Sequence, residues 1–313
     1  MVQQTVHNVN ELPNLNPNEW WRIFQISIKS QSIEYGVHKT RVKNKLKNSL
    51  NRELEILETK SLLTLEEKGR LTYLQQQLKL LLIKEVEGYK VRLKGLPTHE
   101  VKEPNIKFYA RLEKRNKSKS VINKLVYKDG SIHSDKKSLL RITTEYYREL
   151  YTPSPVNLQK QHKLIQNLKT SLSEEQKAEL DAPLTKEELQ RSVMGQNKSK
   201  SPGHDGIPAE FYQTYWGLIQ DKFFQYVCYV QTHGLDEWKN MSVTTLIYKD
   251  KGDRDNLNNY RPISLINTDV KIITKALANR LKYVLPSIIH PSQTAIHDRR
   301  IDYTIHMMRD LIM

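Results

Sequence analysis

The chain has 313 residues, a mean hydropathy of −0.66, and 50 Lys and Arg against 35 Asp and Glu, a net charge of +15. That length allows about two domains with a sizeable core, and the basic excess points to polyanions, nucleic acid ahead of an anionic membrane. A single cysteine, Cys228, excludes an internal disulfide and a cysteine-based zinc site. It lies in the apolar run FFQYVCYV and reads as a small buried hydrophobe of an intracellular chain, nuclear or cytoplasmic. No apolar stretch approaches the ~20 residues of a membrane span. The polar N-terminus lacks the charged and apolar regions of a secretory signal, so no membrane partner is expected.

In chain order, residues 1–19 are rich in Asn and Pro without periodicity and read as a flexible lead-in. From Val37 to Lys94 the pattern is helical: Leu46, Leu50, Leu54 and Leu57, then Leu71, Leu74, Leu78 and Leu81, recur at steps of three and four. Thr64-Leu65-Glu66-Glu67 between them has the form of a capping box, which predicts a second helix and hence an antiparallel hairpin. Its apolar stripe serves packing. Gly95-Leu96-Pro97 breaks that helix, and a basic cluster of Lys114, Arg115, Lys117 and Lys119 follows. Val121–Tyr127 alternates as a strand, Lys128-Asp129-Gly130 is a turn signal, and a helix is expected from Ser138 to Tyr151. Thr152-Pro153-Ser154-Pro155 is the clearest linker, so the predicted divisions are 1–19, 20–152 and 153–313.

Beyond the linker, Ser173–Gln176 and Thr185–Glu188 are two more capping boxes opening short helices. A loop from Gly195 to Pro208 precedes a helix running to about Thr232, with Pro208 in its first turn. Two strands near 243–248 and 262–266 are expected to pair across a polar loop. A helix from Thr268 to Val284 is expected to end before Pro286. In the last segment Ile301, Ile305, Met308 and Ile312 form one apolar helical face.

Two stretches carry chemistry. The loop KSKSPGHDG at 198–206 combines Lys198 and Lys200 with hydroxyls and with Gly203 and Gly206, where backbone can approach a phosphate. It lacks the Gly-Lys-Ser/Thr ending of a P-loop, and an ordinary surface loop has the same composition. In the second stretch Lys249 ends a strand and Arg261 follows a dozen residues later, so that both could converge on one anion. The acids at 250, 253 and 255 lack the spacing of a calcium loop and read as a solvated turn, with no metal ligands.

Together, KSKSPGHDGIPAEFYQTYW, TTLIYKDKGDRDNLNNYRPISLINTDVKIITKALANRL and HPSQTAIHDRR resemble the early blocks of reverse transcriptases from LINE-type, non-LTR retrotransposons. Order and spacing agree across about residues 184–300, with weaker similarity at 103–152 and only a loose one at 20–95. The resemblance implies a mostly helical α+β fold: the fingers part of an incomplete right-hand polymerase, with an N-terminal helical hairpin extension. It implies RNA-templated DNA synthesis for the family, with RNA and DNA as template and primer and Mg²⁺ as the full-length cofactor. Lys249 and Arg261 match the residues that cover the incoming triphosphate. Lys198, Lys200, Gly203 and Gly206 match the loop near the template path. Asn279, Arg280 and Lys282 fall on a helix close to template or primer backbone, for which solvated charge is an equal reading. Arg299 or Arg300 would face the template, although this block is one residue short and lacks a Phe, and His204 stands where the pattern has Pro.

Two-metal catalysis needs carboxylates to hold both ions. No Asp-Asp pair occurs in the 313 residues, and the family's metal-holding acids would fall beyond Met313. The expectation is a fragment without catalytic residues or cofactor of its own, separated from the palm and endonuclease parts of the full-length protein and inactive as a polymerase alone. The rival reading is a non-catalytic, basic nucleic-acid-binding protein.

Overall fold

Asn16 opens the longest helix by a device the sequence carries in plain form. The Glu19 amide donates to Asn16 Oδ1 at 2.9 Å and the Asn16 amide to Glu19 Oε2 at 3.0 Å, a reciprocal cap with Pro17 in the first turn. The computed structural model describes residues 1–93, 106–167, 170–289, 293 and 301–312. Among these are twelve helices and two separate two-stranded sheets, so the mostly helical α+β class stands. The chain divides into two compact units, one of residues 1–30, 152–245 and 263–313, the other of residues 31–151 and 246–262.

The first unit holds α1 (Val2–Asn10), the start of α2 (Pro17–Glu58), α6 (Leu158–Gln166), α7 (Glu174–Asp181), α8 (Lys186–Met194), α9 (Ala209–His233), α10 (Glu237–Asn240), α11 (Thr268–Ile288) and α12 (Ile301–Ile312). Its core is set by α9, where Tyr212, Trp216, Ile219, Phe223 and Tyr226 recur at steps of four and three and are all buried. Trp21 of α2 packs into that stripe, 5.0 Å from the Phe223 ring and 5.6 Å from Tyr226. Leu189 and Val193 of α8 and Ile272, Ile273 and Ala276 of α11 complete it. Each such side chain contributes about 1.5–3 kcal/mol by leaving water.

The flexible lead-in expected at 1–19 is corrected here. Residues 2–10 are helical, and Val2 and Val9 join the same core, with Thr5 buried between them. Their helical spacing was masked by the intervening Asn and Gln. Both capping boxes of this unit form as read, at Ser173/Gln176 and Thr185/Glu188. Pro208 sits one residue earlier than expected, as the N-cap of α9. Pro286 does not end α11, which runs to Ile288. The proline lies in the last turn, where it forfeits one bond, and the Ile289 amide still reaches the Leu285 carbonyl at 3.0 Å. Cys228 is half-buried rather than enclosed.

In the second unit the rest of α2 and α3 (Leu65–Arg92) form the expected hairpin. Ion pairs Lys60–Glu67, Arg70–Glu53 and Lys47–Glu85 mark its antiparallel course, and Leu50, Leu54, Leu57 and Leu74 are buried in its seam. The Thr64–Glu67 capping box starts α3 as read. α2, however, begins at Pro17, far ahead of the helical pattern recognised from Val37. The break at Gly95–Pro97 lies outside the described residues.

α4 (Ile106–Ser120) precedes β1 (Leu125–Val126), which pairs antiparallel with β2 (Ile132–His133), Leu125 opposite His133. The strand expected over 121–127 shrinks to these two residues because β2 offers no longer partner, and the Val126 amide donates instead to the Asp255 carbonyl at 2.9 Å. The 128–130 turn forms, with the Gly130 amide on the Tyr127 carbonyl. α5 (Lys136–Tyr151) covers this hairpin, and Leu125, Ile142 and Leu257 form a small core. β3 (Val243–Tyr248) and β4 (Tyr260–Leu265) make the second sheet, the pair anticipated from sequence.

Candidate functional site

The pairing of β3 and β4 is fixed by two contacts. The Lys249 amide donates to the Asn259 carbonyl at 2.8 Å, and the Thr244 and Ser264 hydroxyls meet at 3.1 Å. In this antiparallel register Ile247 lies opposite Arg261, and Lys249, two residues on, shares their face. Both cations are exposed. Lys249 Nζ donates to the Asn258 carbonyl at 2.6 Å, which pins it to its own loop with two protons to spare. The Arg261 guanidinium has no hydrogen-bond or ion-pair partner among the described residues, and Pro262 behind it holds the strand extended.

The loop between the strands is braced rather than free. The Tyr260 hydroxyl donates to the Arg254 carbonyl at 2.6 Å, Asn259 Nδ2 to the Asp253 carbonyl at 2.8 Å, and the Tyr146 hydroxyl to Asn258 Oδ1 at 2.7 Å. Arg254 lies 4.6 Å over the Tyr248 ring. Asp255 is taken by Lys124 at 3.0 Å, which holds its carboxyl below the usual range. The turn is exposed, as read from the sequence, and these bonds tie it to the ends of the two strands. Among the described residues no group of three His, Cys, Asp or Glu side chains is placed to hold a metal.

In the first unit, the 198–206 loop has two different halves. Lys198 and Lys200 are exposed. Gly203 is pressed against the chain entering α11, where a Cβ would stand 2.2 Å from Asn267 Oδ1 and 2.6 Å from the Ile266 carbonyl carbon. Gly206 takes φ +75°, which glycine adopts without strain. The Asp205 amide donates to Asn267 Oδ1 at 3.3 Å, and the Thr268 hydroxyl to the Ile207 carbonyl at 2.7 Å. The two glycines thus shape the contact between the two sequence motifs, and the lysines lie exposed beside it.

Behind this contact is a polar network that the sequence reading missed. Asp269 accepts from Trp21 Nε1 and Gln25 Nε2, both at 3.0 Å, and forms a fully buried ion pair with Lys239, which also reaches Gln25 Oε1. Gln25 Nε2 donates as well to the Tyr212 hydroxyl at 3.1 Å and to Asp205 Oδ2 at 3.3 Å. Burial, and after it the Asp269 charge, push the Asp205 carboxyl up to about 6. His204 packs edge-on against Trp238, ring centroids 4.4 Å apart, and burial followed by the Lys29 and Lys239 charges depresses its imidazole. Lys239 stands in an ordinary helical turn of the sequence and gave no signal. Asp205 was legible only as part of a polar loop.

Arg280 has a structural task. Its Nε and Nη2 fork onto both oxygens of Glu188 at 2.6 and 2.7 Å, and its remaining donors reach the carbonyls of Leu180, Ala182 and Pro183. The guanidinium holds the Glu188 carboxyl down to about 2. With its donors consumed, it cannot also serve a phosphate, which departs from the expectation for this position. Asn279 and Lys282 are exposed on the same helix. Arg299 and Arg300 lie outside the described residues.

No family model matches the chain. It is 29% identical over 299 residues to an uncharacterized 149 kDa protein of transposon TX1 from Xenopus laevis, a match covering 94% of this chain and 23% of that protein. It is 29% identical over 119 residues to the Retrovirus-related Pol polyprotein of the type-1 retrotransposable element R1 from Bradysia coprophila, covering 37% and 12%. It is 32% identical over 123 residues to that of element R2 from Popillia japonica, covering 39% and 16%. The chain spans under a quarter of the length of these relatives. Its homologues are thus proteins of transposon TX1 and of the non-LTR retrotransposable elements R1 and R2, and they support its reading as a LINE-type retrotransposon protein.

Proposed function

We propose that the chain is the connector and fingers portion of a LINE-type reverse transcriptase, gripping the phosphates of nucleotide and nucleic acid through Lys249 and Arg261. The observation that carries this reading is the β3–β4 register, with two cations on one exposed face and a guanidinium left without an internal partner. A guanidinium can fork onto phosphate oxygens, and an ammonium adds a point charge beside it. Both would neutralise charge that develops on a transferring phosphoryl group.

Taken alone, these 313 residues bind without polymerising, since they contain no Asp-Asp pair of the kind that holds two metal ions in the family. The test is binding of the purified chain to an RNA template annealed to a DNA primer, followed through a salt series and then supplied with Mg²⁺ and nucleotides. Affinity that falls steeply with salt, without extension of the primer, is the expected result. Templated extension would overturn the inactive reading, and absence of binding at low salt would overturn the whole.

The second reading, a basic nucleic-acid-binding protein with no link to polymerisation, draws on α4. There Lys107, Arg111, Lys114 and Arg115 are exposed at helical spacing on one face. It predicts that loss of those charges weakens binding more than loss of Lys249 and Arg261.

A further inference from the structure

Lys200, Lys271 and Lys275 line one cavity of about 440 Å³ in the first unit, together with Asn197, Ser201 and Thr268. No acidic residue is among those lining it. The adjacent carboxylate, Glu210, is engaged by the Ser199 amide. Lys271 Nζ donates to the Ser201 carbonyl at 3.1 Å and Lys275 Nζ to the Gly195 carbonyl, so each half-buried lysine has its ammonium held by one exposed bond and keeps two protons. Three like charges around one concavity repel each other unless an anion sits among them.

The start of α11 adds to this field. Thr268 is its first residue and lines the cavity, and a helix of this length places partial positive charge at that end. The N-cap, Asn267, does not cap it. Its Oδ1 is spent on the Asp205 amide, and its Nδ2 is fully buried without a hydrogen-bond partner. Asp269 Oδ1 already accepts from the Val270 amide of this turn at 2.8 Å, and Asn267 is not among the residues lining the cavity, so the three lysines carry the site.

We infer that this cradle is a phosphate site that takes one segment of a polynucleotide backbone, sequence-independently, with Lys271 and Lys275 as its principal cations. The inference deepens the nucleic-acid reading above and rests on it. It adds Lys271 and Lys275 of the first unit to Lys249 and Arg261 of the second. Free polyphosphate offers the same chemistry as a backbone segment, so the test uses both sources.

The experiment titrates the full chain and the variant K271Q/K275Q with fluorescent single-stranded RNA through a salt series, and separately with inorganic tripolyphosphate by calorimetry. The variant is expected to bind RNA about tenfold more weakly at low salt, with the log–log salt slope reduced by about 1.4, two contacts at about 0.7 each. Tripolyphosphate that releases heat with the wild-type chain but leaves RNA affinity equal in the two proteins would assign the cradle to free polyphosphate and overturn the backbone assignment. Equal RNA affinity and slope with no tripolyphosphate binding would overturn the site itself. Absence of RNA binding by the wild-type chain would instead sink the broader reading. Should the double variant lose its circular-dichroism melt, lysine acylation of the wild-type chain decides: RNA must protect Lys271 and Lys275, and undiminished labelling contradicts the inference.

Discussion

At the scale of single residues, Gly203 and Asp205 show how one short motif joins packing to chemistry. A methyl group at position 203 would enter the space of Asn267 and Ile266 backbone and side-chain atoms, 2.2–2.6 Å away. Gly203→Ala should therefore cost about 2 kcal/mol of stability, read by urea denaturation, and a neutral effect would mean that this approach is not close in solution. Asp205 has a folded-state carboxyl raised to about 6 from its ordinary 3.8. The native state then binds more protons than the unfolded chain between those values. The stability this group contributes is fully present below about pH 4 and is lost as pH rises through 6. Chemical denaturation from pH 4 to 7 should show this decline, on the order of 3 kcal/mol, and Asp205→Asn should flatten it; an unchanged profile in the variant would contradict the assignment. From sequence, Gly203 reads as a loop residue offered to a ligand and Asp205 only as part of the same polar loop. Their main contacts are internal, because what surrounds them comes from Gln25, Lys239 and Asn267, far away in the chain.

At the scale of elements, most devices written within four residues were legible, the Asn16–Glu19 cap excepted, and those needing a distant partner were not. The capping boxes at Thr64, Ser173 and Thr185 form as the sequence spells them. The β3–β4 pair and the leucine hairpin followed from their period. The α1 helix escaped because its stripe of Val2, Thr5 and Val9 is thin, and only packing on α9 makes it pay. Arg280 reads as a surface cation on a helix, yet it locks α11 to α8 and to the carbonyls that follow α7. A lysine cannot reproduce that fork, so Arg280→Lys should lower stability by about 3 kcal/mol while leaving the salt slope of nucleic-acid binding unchanged. A reduced slope with unaltered stability would return Arg280 to the ligand interface.

At the scale of the whole molecule, a net charge of +15 gives long-range attraction to polyanions but not a site. Position comes from the fold, which spends Arg280, Lys239 and Lys124 on internal carboxylates. Arg261 is left without an internal partner, and Lys249 is left exposed on the same face of a braced hairpin. That selective pairing is the centre of the account. Its most direct test is the salt dependence of single-stranded RNA binding, measured from 50 to 200 mM salt on the full chain and on the K249Q/R261Q variant. The account predicts a melt like that of the wild-type chain and a slope shallower by about 1.4, two phosphate contacts at about 0.7 each. An identical slope in the two proteins would contradict it.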